Sequence, residues 1–444
     1  MDYMIRIGCR SVFINGSLRL RGESVARGGI RIDSSESGGV ASVKNVSVDG
    51  IRNSDDAYTA QCSGIEVFYG FQNVEVTGCE VNGVENVGVN DTVSVSGIAV
   101  SGYRGSCMVD RCKVSSIRNN QGRDADGIKV FGFGQVDPPL YRGQLACVSN
   151  SQLIDCEGRG IKIQTSRAFV EGCEVIQENV RTIQQGVGVA FQWGNGTIKR
   201  CKFVYASGMA GESYSAINFQ QVVTDRPVQT SQASDIQIET VDPLPRVILY
   251  QQGPTDTQLT IDGLLGYSHG PLVSRALIEC PAFQSRVGKK TYIDVSRCTL
   301  GLDCPIVGYT GFESGDLSNH LMVSIRDVQN TRDAANQARP FSNISGNAVL
   351  QYRRRFDGLS SINSVLAANA TIDFNKLSPG VFGVLVGGSG VTLVNGPQLA
   401  SGMYVVEVLM NWFPSRLNVV RVISEHGQEW RRVGTGSWAQ VVSP

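Results

Sequence analysis

Histidine is nearly missing from this chain, with three in 444 residues. His269, His320 and His426 also fall outside any regular pattern, so an imidazole general base is not expected. There is no Cys-x-x-Cys and no histidine near a cysteine, which argues against zinc and leaves no cofactor to predict. Net charge is absent too: 40 basic residues balance 40 acidic ones. That balance argues against nucleic-acid binding, which depends on a basic surface. No apolar run approaches the ~18–20 residues needed to cross a bilayer, so no membrane insertion is expected. The N-terminus, Met1-Asp-Tyr-Met-Ile-Arg, lacks the apolar core and cleavage site of a secretory leader. Helical periodicity is almost lacking before residue 320.

What is present is a repeat. Gly29-Ile-Arg-Ile32, Gly64-Ile-Glu-Val67, Gly97-Ile-Ala-Val100, Gly127-Ile-Lys-Val130, Gly160-Ile-Lys-Ile163 and Gly188-Val-Ala-Phe191 share one phrase. Looser copies stand at Ala216-Ile-Asn-Phe219 and Val247-Ile-Leu-Tyr250. Successive offsets are 35, 33, 30, 33, 28, 28 and 31 residues. Each phrase is a short strand with two inward apolar residues around one outward position. About a dozen residues later comes a second strand leading to a cysteine: Val74-Glu-Val76 to Cys79, Val109 to Cys112, Phe169-Val170 to Cys173 and Ile198 to Cys201. In the fourth unit Cys156 is expected to match them after an insertion. Asn, Gly, Ser and Asp fill the gaps as turns.

Short strands stacked at such a period predict an all-β chain, a right-handed parallel β-helix (a single-stranded solenoid) over residues 1–335. A polar neck over 336–370 and a small, mainly antiparallel β domain over 371–444 follow. Three of the four tryptophans (Trp412, Trp430, Trp438) lie in that last part. Most of the twelve cysteines are expected on the inner face as reduced thiols acting as small hydrophobes. Equivalent positions should stack roughly 4.8 Å apart. Gln164, Gln192, Gln220 and Gln251 should then form a column, either a structural amide ladder or a ligand-contacting row.

Chemistry has one favourable place on such a solenoid, the outward face of neighbouring turns. Arg31, Glu66, Ala99, Lys129, Lys162, Ala190, Asn218 and Leu249 are the outward positions of the phrase. One step along come Asp33, Phe68, Ser101, Phe131, Gln164, Gln192, Gln220 and Gln251. Small Ala99 and Ala190 leave room, and Phe68, Phe131 and Trp193 offer rings for sugars to stack on. Lys129, Arg159, Lys162, Gln164, Gln192 and Asn218 complete the candidate polymer contacts. An ordinary solvated sheet face reads the same way.

Glycoside hydrolysis needs two carboxyl groups. Asp124 and Asp126 are the densest candidates. As an extended i, i+2 pair they would lie roughly 7 Å apart, in the range of an inverting mechanism. Glu66 and Glu157 are further candidates, and Asp before glycine is also ordinary turn chemistry. Lys129, Arg159 and Lys162 offer the cations that a lyase acting on a uronate requires.

Two resemblances add to this. Asp373-Phe-Asn-Lys-Leu-Ser-Pro-Gly-Val-Phe382, Val394-Asn-Gly-Pro397, Tyr404-Val-Val-Glu-Val408 and Arg431-Arg-Val-Gly434 to Trp438 are similar to the knob that ends many phage tail fibres and R-type pyocin fibres. Joined to the upstream β-helix, the chain resembles a phage tailspike. That resemblance implies a homotrimer in the virion tail, assembled in the host cytoplasm with other tail components. It implies binding or cleavage of a bacterial surface polysaccharide, capsule or O-antigen. Tailspikes normally begin with a virion-anchoring domain. Here the repeats begin almost at Met1, so a fragment, a shortened reading frame or a separately recruited spike is expected. Asp124-Ala-Asp-Gly127 and Arg159-Gly-Ile-Lys162 resemble the Asn-Thr-Asp-Gly and Arg-Ile-Lys motifs of polygalacturonase-type hydrolases, which would make Asp126 the general acid. Gly160 interrupts the second motif, and the family's Asp-Asp and Gly-His-Gly elements have no counterpart.

Overall fold

A computed structural model describes residues 3–21, 28–34, 36–56, 61–90, 92–120, 124–132, 144–178, 186–192, 195–206, 215–220, 228–241, 246–251, 255–268, 276–281, 290–300, 307–310, 320–330, 341–342, 349–356, 359–362, 365–366, 371–374, 380–386, 392–399, 402–410, 418–424, 428–433 and 437–441. Every regular element among them is a strand.

The repeated phrase builds a 12-stranded sheet, parallel throughout its register. Its strands run Gly28–Ser34, Gln61–Phe68, Ser94–Tyr103, Ala125–Gly132, Arg159–Gln164, Val187–Gln192, Ser215–Gln220 and on to Phe341–Ser342. Ile30, Ile65, Ile98, Ile128, Ile161, Val189, Ile217 and Ile248 stack in one column, all with no exposed surface. The glycines that open the phrase sit tight against the next turn. A Cβ on Gly64 would press into the Val81 side chain and come within 2.9 Å of Gly97 O, so nothing larger fits.

A second, 18-stranded sheet supplies the other two walls. One row holds Asn73–Thr77, Ser106–Asp110, Leu145–Ser149, Arg167–Glu171 and Asn195–Lys199. The other holds Glu80–Asn86, Lys113–Asn119, Gln152–Cys156, Glu174–Gln177 and Lys202–Tyr205. Two long strands, Val40–Asn53 and Val228–Thr240, run through both rows and join them. At the corner between rows one residue per turn takes a left-handed backbone: Asn45, Gly78, Arg111, Asn150, Gly172, Arg200, Asp235, Gly263 and Arg297.

The cysteine column follows that corner directly. The thiols of Cys79, Cys112, Cys173 and Cys201 each donate to the carbonyl two residues back, at 3.5, 3.4, 3.6 and 3.2 Å. In the fourth turn the column holds Ser151, whose hydroxyl makes the same bond to Ser149 O at 2.8 Å. Cys156, expected there, pairs instead with Ile117. In these five turns the position takes a small buried side chain with one hydrogen to give, which cysteine and serine both supply, while Val46 and Ile236 fill the same level elsewhere in the stack.

Parallel pairing continues past the expected limit of residue 335. His320–Asn330 pairs with Val349–Phe356, so part of the expected neck belongs to the stack. The six-stranded C-terminal sheet is antiparallel along Gly380–Val386, Gly402–Met410, Asn418–Ser424, Glu429–Val433 and Ala439–Val441. Its core is Phe374, Tyr404, Val406, Val420 and Val422, with Trp430 and Trp438 packed against it. Asn395 takes a positive φ at the expected turn, and its carbonyl accepts from Trp438 Nε1 at 2.9 Å. Trp412 lies outside the described residues.

Candidate functional site

Register decides which outward side chains meet. Asp126 pairs with Arg159, and Lys129 with Lys162, on adjacent strands of the first sheet. Both carboxylates of the Asp124-Ala-Asp126 segment therefore face the cations of the next turn. Arg159 Nη1 donates to Asp124 Oδ1 at 2.8 Å and to Asp126 Oδ1 at 2.9 Å. Lys162 Nζ donates to Asp124 Oδ2 at 2.8 Å, and Lys129 Nζ stands 3.8 Å from the same oxygen. Lys129 also donates to Ser94 Oγ at 2.7 Å and Gln61 Oε1 at 3.3 Å. Phe131 carries both ammonium groups over its ring, Lys129 at 4.9 Å and Lys162 at 5.5 Å.

Since Asp124 and Asp126 share one guanidinium nitrogen, the two oxygens bound to it lie within about 5.7 Å of each other. Asp126 has no exposed surface, and its second oxygen has no hydrogen-bond partner.

The outward face here is not an open sheet surface. Lys129, Lys162 and Gln164 are each 6% exposed, Arg159 7% and Phe131 8%. Within the cluster Asp124 is the accessible member, its side chain 29% exposed. Burial works to raise the pKa of Asp124, but Arg159, Lys162 and Lys129 outweigh it and hold the carboxyl well below the usual range. Burial lowers Lys129, with Asp126 and Asp124 opposing and Lys162 and Arg159 assisting. Arg159 shifts upward despite its burial because Asp126 and Asp124 surround it.

Glu66 lies two strands away on the same outward column, separated from Lys129 by Ala99. Its carboxylate contacts the Tyr3 hydroxyl, and Arg31 Nη1 donates to it at 3.2 Å. Burial raises its pKa by more than Tyr3, Arg31 and Lys129 lower it. Ala99 itself has no exposed surface, so the room expected there is enclosed.

The remaining predicted residues divide. Glu157 stacks over Asp124, since Gly158 N donates to Ala125 O, and its Oε2 accepts the Asn119 N–H at 3.2 Å. Gln164, Gln192, Gln220 and Gln251 do form one column. In it Gln164 Oε1 is buried without a hydrogen-bond partner. Asn218, between Ala190 and Leu249, also has a buried Oδ1 without one. Phe68 is exposed beneath Arg31, whose guanidinium carbon stands 4.4 Å from the ring centroid. Trp193 lies outside the described residues.

The sequence reading missed Tyr3, Gln61, Ser94 and a buried asparagine ladder. Asn53 Nδ2 donates to Asn86 Oδ1 at 2.7 Å, and Asn86 Nδ2 to Asn119 Oδ1 at 3.1 Å. The ladder had a signal, two offsets of 33 residues. So had Gln61 and Ser94, which stand three residues before the phrase glycine, as Asp124 and Glu157 do.

No family model matches the chain, and no curated protein matches it. Among solved structures it is similar to an Acinetobacter phage tailspike, at 9% identity and a TM-score of 0.33, over 99% of this chain and 77% of that one. A Pseudomonas phage tailspike aligns at 11% identity and a TM-score of 0.35, over 94% of this chain and 65% of that one. Tailspike protein 2 of an Escherichia coli bacteriophage aligns at 12% identity and a TM-score of 0.31, over 99% of this chain. This chain spans 58% of that protein's length.

Proposed function

We propose that this chain is a phage tailspike that binds and cuts a bacterial surface polysaccharide, capsule or O-antigen, by glycoside hydrolysis. It would act as a homotrimer in the virion tail. One observation carries the enzymatic part: two carboxyl groups on the same outward face are displaced in opposite directions. Asp124 is kept ionised by Arg159, Lys162 and Lys129, while burial keeps Glu66 protonated to higher pH. Opposed shifts of this kind divide base from acid. Glu66 shares its outward column with Lys129, two strands away, and the Lys129 ammonium in turn stands 3.8 Å from Asp124 Oδ2. In this reading Asp124 activates water, Glu66 protonates the leaving oxygen, and Asp126 positions Arg159. The tailspike assignment draws on the solenoid together with the knob-like C-terminal motifs.

Lyase chemistry is the second reading, favoured by Lys129. Burial lowers its pKa, which moves an ammonium toward a neutral base, and Arg159 and Lys162 stand by to neutralise a uronate.

Incubating the protein with capsular and O-chain polysaccharides of candidate hosts tests both. Release of reducing ends supports hydrolysis, and the ultraviolet absorbance of an unsaturated uronate marks a lyase. Retention of intact polymer leaves a receptor-binding spike. Asp124→Asn and Glu66→Gln should each slow hydrolysis at least about 100-fold. Full activity in both would remove the site assignment.

A further inference from the structure

We infer that Phe68 and Tyr69 form an aromatic ledge that holds a pyranose ring of the bound glycan. The inference rests on the proposed polysaccharide function and names a subsite of it. Tyr69 is 53% exposed and Phe68 37%, with ring centroids 5.9 Å apart and planes tilted by 36°.

The backbone under this ledge is unusual. Tyr69 has φ +53, and of the ten non-glycine residues with positive φ among those described it is the sole aromatic. A bulky side chain in that region is an outlier, and such outliers gather at functional sites. The stacked strand has a glycine at this level: Phe68 pairs with Ser101, so Tyr69 lies over Gly102, itself at φ +72. Tyr69 N donates to Ser101 O at 2.7 Å, fixing the backbone. A Cβ on Gly102 would meet Tyr69 Cδ2 at 2.6 Å, so the ring rests against bare backbone. The chain thus holds a large, half-exposed ring at a position whose backbone suits glycine.

The surroundings match a sugar rather than another apolar surface. One face of a pyranose is a patch of C–H bonds that suits the negative face of an aromatic ring, and its rim is hydroxyl. Beside the ledge stand Arg31 over Phe68 and Asp33, which accepts from Arg31 Nε at 2.8 Å. Both offer hydrogen bonds to hydroxyls. Glu66 is two residues before Phe68 on the same outward face, so a ring on the ledge would lie one unit from the proposed acid.

The test uses the full chain carrying Asp124→Asn, so that polymer stays intact, on an array of bacterial capsular and O-antigen polysaccharides. Adding Tyr69→Gly should weaken binding to the recognised glycan about threefold to tenfold, while Tyr69→Phe keeps it. The glycine variant should melt within about 2 °C of its parent, because a strained side chain is exchanged for the residue its backbone suits. Undiminished binding by the glycine variant overturns the ledge and leaves the proposed function standing. A clearly lower melting temperature also overturns it, making Tyr69 a packing element. If the parent binds no polysaccharide on the array, or binds host protein instead, the ledge and the proposed function fall together.

Discussion

Arg159→Met is the sharpest perturbation of the candidate site, because it keeps bulk and removes the guanidinium that hydrogen-bonds both carboxylates. The loss should come from Asp126. That residue has no exposed surface, its Oδ1 bonds Arg159 at 2.9 Å, and its Oδ2 has no partner. Asp124 contributes little to the loss, since its side chain is 29% exposed and Lys162 remains at 2.8 Å. Stranding a buried charge typically costs about 3–5 kcal/mol, and we expect about 3–4 here. Adding Asp126→Asn removes the stranded charge, so the double variant should regain about 2 kcal/mol over Arg159→Met alone. Urea unfolding at neutral pH, followed by circular dichroism, reads both values. A loss under about 1 kcal/mol for Arg159→Met, or a double variant no more stable than the single, would refute the account of a buried ion cluster.

Gly64→Ala should destabilise the solenoid by about 1–3 kcal/mol, since the new Cβ has no space between Val81 and Gly97 O; thermal melting checks it. Asn86→Ala breaks two buried amide bonds, to Asn53 and Asn119, and should cost about 2–4 kcal/mol in a denaturant titration. The pH dependence carries a sign. Asp124 is depressed in the folded chain, so the stability it adds is present above its unfolded pKa and is lost only as pH falls through the lower folded value. Glu66 is raised, so its contribution is present below its unfolded pKa and is lost as pH rises through the higher folded one. Hydrolysis should accordingly hold steady in mild acid and decline on the alkaline side, with the decline removed from the residual activity of Glu66→Gln.

The strands of the first sheet were legible because glycine and β-branched residues recur together, and a parallel solenoid turns that recurrence into register. Gly64, Gly97, Gly127 and Gly160 stand at one level because a Cβ at each would run into the carbonyl of the next turn. The corner between the two rows of the second sheet was not read. Its left-handed position is filled by Asn45, Gly78, Arg111, Asn150, Gly172, Arg200, Asp235, Gly263 and Arg297, which share no single side-chain chemistry. What they share is an offset, one residue before the cysteine column. Cys156 shares the residue type but not the offset from the corner, and Ser151, which has the offset, fulfils the cysteine's role.

The site shows where periodicity stops informing. Alternation places Lys129, Lys162 and Gln164 on the outward side of the sheet, and that placement holds. Alternation carries no term for what the rest of the chain lays against an outward side, and these residues are nearly buried. A row of cations on an exposed face is a solvated surface; the same row out of water must find carboxylates or lose its charge. Asp124 and Asp126 meet that demand through Arg159, and Glu66 answers differently, shifting toward its protonated form beside a tyrosine 63 residues away in sequence. Burial and ion pairing therefore displace two carboxyl groups, each ordinary when exposed, in opposite directions: Asp124 downward beside its cations and Glu66 upward. That separation is the property an acid–base pair requires, and it arises from coverage of the face rather than from the repeat.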